Sequence, residues 1–141
     1  MLILGIDPGA NTGIASYING KLMHLATVAP VDIAERIEAT RPARVVFEDS
    51  RLQSHAWTAQ AKASRGAALA TARSLGEVDA WCKLIVAICA KLDIPAHGIS
   101  PKSKGAKVDA ARFAEITGWT GASNEHTRDA AMVAYPYRNA K

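Results

Sequence analysis

Three acidic groups in this chain are spaced so that their chemistry could combine. Asp7 ends the apolar run Leu2-Ile3-Leu4-Gly5-Ile6, just before Pro8-Gly9. Glu48 and Asp49 close a second apolar run, Val45-Val46-Phe47. Glu125, His126 and Asp129 stand together in Asn124-Glu125-His126-Thr127-Arg128-Asp129-Ala130-Ala131. A carboxylate buried without a partner is strongly disfavoured or becomes protonated, so Asp7 is expected to face a cation or a cleft. The plainer alternative is a strand-end Asp that opens the Pro8-Gly9 turn. In the last group, the spacings of His126 and Glu125 to Asp129 put all three on one helix face. Converging carboxylates repel one another, and divalent cations relieve that repulsion. Oxygen-rich donors select Mg2+ or Mn2+. Two such ions about 4 Å apart can activate a water and stabilise the leaving oxygen in phosphodiester hydrolysis. Taken singly, Glu48 reads equally as a strand-end charge and His126 as a surface residue at a helix start. Their joint order along the chain carries the reading.

The elements that must position these groups follow from the apolar pattern. Leu2–Asp7 and Thr12–Ile18 read as strands, and Asn19-Gly20 is a two-residue hairpin signal leading into a third strand, Lys21–Val28. Pro30–Thr40 has helical spacing, with Ile33 and Ile37 on one side. Arg44–Glu48 is a short buried strand. Gln53–Ser64 is polar and aperiodic. Leu75, Val78, Cys82, Ile85, Cys89 and Leu92 form one stripe of a long helix. Ile94–Ile99 reads as a strand and Lys107–Thr117 as a helix. Glu125–Tyr135 is the last helix, capped by Ser123 or Asn124. An antiparallel meander followed by helical crossovers predicts a mixed α/β sheet.

Composition narrows the classes. The 141 residues read as one domain, residues 1–141, with 49% hydrophobic and 21% charged residues. No apolar run approaches the roughly 20 residues needed to cross a bilayer. The opening run has no basic residues ahead of it and breaks at Asp7, unlike a secretory signal. Cys82 and Cys89 lie too far apart along a helix to bridge, which fits reduced core thiols of a cytoplasmic protein. The net charge of +4 permits a polyanionic partner. Arg65, Arg73, Lys102, Lys104 and Lys107 cluster in the second half. The lysines precede a helix, which suits contact with phosphates, the alternative being a solvated loop. Trp57 sits in a polar stretch, where it could stack on bases at a branch point or simply pack beneath the loop.

The order of these motifs resembles the RuvC family of Holliday-junction resolvases within the RNase H-like superfamily. Ile3-Leu4-Gly5-Ile6-Asp7-Pro8-Gly9 is similar to the family's opening strand motif, with Thr12-Gly13 following as in the family. Val45-Val46-Phe47-Glu48 is similar to its second acidic motif, and His126-Thr127-Arg128-Asp129-Ala130 to its closing helix. Leu75-Gly76 resembles a helix start of the family. The resemblance implies an RNase H-like mixed five-stranded sheet flanked by helices. It implies a crossover junction endodeoxyribonuclease with Asp7, Glu48, His126 and Asp129 as the catalytic, metal-binding set. Glu125 adds a carboxylate that competes with His126 for the fourth ligand position. Two Mg2+ ions per site are expected, with Mn2+ able to substitute, and no small-molecule cofactor. Lys102, Lys104, Lys107, Arg65 and Trp57 are the expected DNA contacts. Branched DNA is the expected partner, no membrane is involved, and the location is the cytoplasm of a bacterium or of a phage-infected host. The chain looks shorter than the typical bacterial resolvase, as a phage or prophage version would. Its Arg51–Ser74 segment looks longer than the family's corresponding loop.

The long helix also carries Trp81, Leu84 and Ile88, so it is apolar on more than one side. With the family resemblance, this predicts a homodimer packed through that helix. Two other readings compete. A YqgF-like nuclease acting on ribosomal RNA precursors would have its middle acidic motif beyond the long helix, whereas Glu48 precedes it. A non-catalytic branched-DNA-binding protein would have no need of Asp7, Glu48 and Asp129 together.

Overall fold

The computed structural model describes residues 1–53, 64–103 and 105–140. Five strands form one sheet: β1 Leu2–Asp7, β2 Thr12–Ile18, β3 Lys21–Val28, β4 Arg44–Glu48 and β5 Ala96–Ile99. Their spatial order is β3-β2-β1-β4-β5. β1, β2 and β3 pair antiparallel, and β4 pairs parallel with both β1 and β5. Asn19 and Gly20 both take positive φ, 50° and 82°, as the tight hairpin between β2 and β3 requires. The helices described are α1 Ile33–Thr40, α2 Arg65–Lys91, α3 Ala110–Thr117 and α4 Glu125–Ala134. No helix among the described residues is long and apolar enough to cross a membrane.

Alternation along the strands sends side chains to two separate cores. Leu4, Ile6, Ile14, Val45 and Phe47 pack with Ile33 and Ile37 of α1 and with Cys82, Ile85 and Cys89 of α2. Ile3, Ala15, Tyr17 and Val46 pack on the opposite face with Phe113 of α3 and with Ala130, Ala131, Val133 and Ala134 of α4. Tyr17 donates its hydroxyl to the Ala131 carbonyl at 2.9 Å, and burial pushes that phenol above its usual range. Cys82 and Cys89 are both buried free thiols, and burial raises Cys89 to about 11.

The helix read over Pro30–Thr40 begins at Ile33, after a 3-10 turn at Pro30–Asp32, and the one read over Glu125–Tyr135 ends at Ala134. Three further boundaries depart from the sequence pattern, each for a local reason. α2 begins at Arg65, well before Leu75, with the Ser64 hydroxyl capping it by accepting from the Ala67 amide. Residues 65–74 are rich in alanine and largely exposed, so they are helical by propensity and show no apolar stripe. α3 begins at Ala110 because Asp109 caps it, accepting from the Arg112 amide at 2.8 Å. β5 starts at Ala96 because Ile94 closes the turn that follows α2, donating its amide back to the Cys89 carbonyl.

α4 lies unusually close to the sheet, and two glycines permit it. A Cβ on Gly5 would strike the Ala130 carbonyl and come within 2.8 Å of the Ala134 methyl. A Cβ on Gly13 would strike the His126 carbonyl oxygen. Gly13 is the β2 partner of Asp7. The helix therefore runs antiparallel to β1, with its first turn over the acidic end of that strand. Gly13→Ala drives a methyl into the His126 backbone, forcing α4 away from the sheet, and is expected to destabilise the fold by about 1–3 kcal/mol. Urea unfolding checks this: the midpoint should fall with an unchanged slope, and an unaltered midpoint would mean α4 can lift off Gly13 freely.

Candidate active site

Asp7 and Glu48 end neighbouring parallel strands. The last ladder pair between β1 and β4 is Ile6 with Phe47, and the two acids are the next residue on each strand. Adjacent strands lie about 5 Å apart. Ile3 and Val46 point to the α4 face, so alternation sends Asp7 and Glu48 there too. Both are half-buried. The turn after Asp7 is closed by Thr12, which is fully buried and donates its hydroxyl to the Gly9 carbonyl at 2.8 Å.

α4 brings the third acid. Its cap is Asn124, not Ser123. The Asn124 side-chain Oδ1 accepts from the Thr127 backbone amide, and the Thr127 hydroxyl accepts from the Asn124 backbone amide, each at 3.0 Å. Ser123 instead accepts from the Arg128 guanidinium at 3.1 Å. Asp129 lies on the first turn and a half, with its side chain only 10% exposed. His126 is half-buried beside Glu125, its Nε2 3.8 Å from Oε1. The fold thus carries Asp7, Glu48, His126 and Asp129 to one end of one sheet face.

A lysine is already among these acids. Lys107 Nζ lies 3.7 Å from Asp129 Oδ2 and 3.8 Å from Glu125 Oε2. Arg128 holds the segment that carries it, donating Nε to the Val108 carbonyl at 3.1 Å. The spacing of Lys107 ahead of α3 suggested a phosphate contact but gave no sign of this bridge. Among the described residues, no three or more His, Cys, Asp or Glu side chains form a group that could hold a metal ion. The donor types do suit one: carboxylate oxygens with an imidazole nitrogen match a hard divalent cation, and the Lys107 ammonium shows that positive charge is accommodated between two of the acids.

Of the expected DNA contacts, Lys102 is exposed on a short 3-10 turn after β5, and Arg65 is exposed at the start of α2. Lys104 and Trp57 lie outside the described residues. Arg73 is exposed on α2.

In the sequence Asp49 stands only as a companion of Glu48. The structure gives it a distinct task. Its buried carboxylate accepts Arg51 Nε at 2.9 Å and Nη2 at 2.8 Å, as well as the Arg51 amide. Gly98 on β5 leaves the room, since a Cβ there would come within 2.8 Å of Asp49 Oδ2. The hydrogen bonds from Arg51 hold the Asp49 carboxyl below the usual carboxylate range. A folded value below the unfolded one contributes stability that is full above about pH 4 and is lost as pH falls through the folded value. Asp49→Asn removes that component. In urea unfolding, the gap between wild type and variant is expected to be widest near neutral pH and to close on acidification; a gap constant with pH would leave Asp49 a packing role only.

No protein-family profile matches the sequence, and no curated protein matches it. Solved structures do match. The RuvC protein of Thermus thermophilus in complex with a Holliday junction substrate aligns with a TM-score of 0.64 at 20% identity, covering 96% of this chain and 91% of that one. A further Thermus thermophilus RuvC structure aligns with a TM-score of 0.61 at 14% identity, covering 96% and 92%. The five-stranded mixed sheet and its flanking helices are therefore those of the RuvC-like, RNase H-type fold.

Proposed function

We propose that this chain is a divalent-metal-dependent endonuclease that resolves four-way DNA junctions by hydrolysing phosphodiester bonds. The observation that supports it best is the seating of α4 on Gly13, which sets the helix start that carries His126 and Asp129 over the end of β1 that carries Asp7, beside Glu48. The RuvC structure of the same fold that was solved with a Holliday junction substrate makes branched DNA the substrate class to test first.

In this reading Asp7, Glu48, His126 and Asp129 hold two Mg2+ or Mn2+ ions, and Glu125 stays with Lys107 at the rim. Bound ions of this kind make a hydroxide nucleophile available near neutral pH and neutralise charge on the leaving oxygen. The protein's own share is positioning. β1 and β4 fix two carboxylates on a rigid sheet, and the capped first turn of α4 fixes the other two groups. Lys102, Lys104 and Lys107 meet the phosphate backbone, with Arg65 and Trp57 as further contacts. The protein acts as a two-fold dimer packed through α2, whose Leu69, Leu84 and Val86 are exposed in the single chain. Such a pair matches the near two-fold symmetry of a four-way junction.

Two experiments test this reading. Labelled four-way, three-way, flap and linear DNA are incubated with wild type and with Asp7→Asn, in Mg2+, Mn2+ or EDTA. Wild type is expected to cut the four-way junction with either metal and not in EDTA, while Asp7→Asn binds the junction in gel shifts and leaves it uncut. Metal-independent cutting, or full cutting by the variant, would sink the mechanism. Second, replacing Lys102, Lys104 and Lys107 together by Ala is expected to weaken binding across sequences and to flatten the salt dependence by up to about three slope units. An unchanged slope would leave these lysines as solvated loop.

A further inference from the structure

We infer that Ser50 and Asp79, together with Cys82, are positioning residues for Glu48, a role that rests on the reading of Glu48 as a metal ligand. Glu48 is the last residue of β4. On its β1 side the ladder has already ended at the Ile6–Phe47 pair, so nothing in that ladder fixes the backbone beyond Phe47. On its β5 side the Asp49 amide donates to the Ile99 carbonyl at 2.8 Å. α2 adds a further restraint. Cys82 Sγ donates to the Glu48 carbonyl at 3.6 Å. The Ser50 hydroxyl donates to Asp79 Oδ1 at 2.6 Å and lies 3.8 Å from Cys82 Sγ. Asp79 and Cys82 are three apart, so they present one face of the helix to the strand exit.

The two contacts differ in strength. A thiol is a weak donor, whereas a hydroxyl donating to a carboxylate is short and strong. Of the two contacts from α2, the Ser50–Asp79 bond is therefore the stronger hold. It sits at the half-buried margin of α2, while the helix is docked by the fully buried Cys82, Ile85 and Cys89. Losing the bond should leave the helix in place. What changes is the backbone at residues 48–50, and with it the direction in which the Glu48 carboxylate leaves the strand. A ligand whose orientation is set by a neighbouring hydrogen bond loses metal affinity when that bond is removed.

The test measures Mn2+ binding by isothermal titration to wild type, Glu48→Gln, Ser50→Ala, Ser50→Thr, Asp79→Ala and Asp79→Asn. Junction cleavage against Mn2+ concentration and thermal unfolding without metal are measured beside it. Ser50→Ala and Asp79→Ala are expected to weaken Mn2+ binding about tenfold and to raise the Mn2+ concentration for half-maximal cleavage by a similar factor. Ser50→Thr, which keeps the hydroxyl, and Asp79→Asn, which keeps an acceptor oxygen, are expected to restore most of the affinity. Unfolding temperatures should not follow that order. Wild-type affinity in Ser50→Ala, or a Ser50→Thr variant as impaired as Ser50→Ala, would overturn the positioning role while wild-type cleavage left the nuclease reading standing. If wild type cuts no branched DNA, or Glu48→Gln binds Mn2+ as wild type does, the nuclease reading itself falls and this inference falls with it.

Discussion

The backbone-to-backbone contact between α4 and the β1–β2 pair governs the rest of this molecule. A helix normally stands off a sheet by the thickness of two layers of side chains. Here Gly5 and Gly13 remove one layer, and Ala130 and Ala134 thin the other. The helix is then fixed along its axis as well as in height, because a shift of one turn would bring side chains against the glycine positions. The small residues on this face thus act as a ruler. They set which residues of α4 stand over the acidic end of β1, and they do so without any charged contact.

Gathering acids at one place raises an electrostatic problem that packing cannot solve. The chain answers part of it with its own cation. Lys107 spans Asp129 and Glu125, and Arg128 holds the loop that delivers it by pairing with the Val108 carbonyl and the Ser123 hydroxyl. Asp49, close by, is handled separately, with Arg51 as its own bidentate partner. Neighbouring carboxylates on one strand end are thereby given different environments. Asp49 is committed to the fold, while Glu48 points to the face shared with Asp7.

Much of this was legible in the residues. The first four strands, the Asn19-Gly20 hairpin and the Val78-Cys82-Ile85-Cys89 part of the long stripe depend on short-range patterns, and the structure carries them as expected. The start of α2 was not legible, because alanine-rich exposed turns have propensity but no face. The acidic residues could be named from their apolar surroundings. Their companions could not. Lys107 reaches Asp129 beside the point where Arg128 holds Val108, twenty positions away, and Ser50 meets Asp79 across twenty-nine. Such pairings belong to the tertiary fold. Gly13 lies between these cases: its identity was plain, but its closeness to His126 required the helix to be in place.

The path of the chain also sets a schedule. β1 is synthesised well before α4, yet the two pack directly on one another. Local hairpin pairing among β1, β2 and β3 can form early, whereas the contact with α4 closes a loop of more than a hundred residues and is correspondingly slow. Until residues 124–134 have left the ribosome, Asp7 and Glu48 can occupy a folded sheet without His126 and Asp129 above them. The acidic end is therefore complete only once α4 has arrived, and a copy that stops short of α4 has the strands of the site without its closing helix.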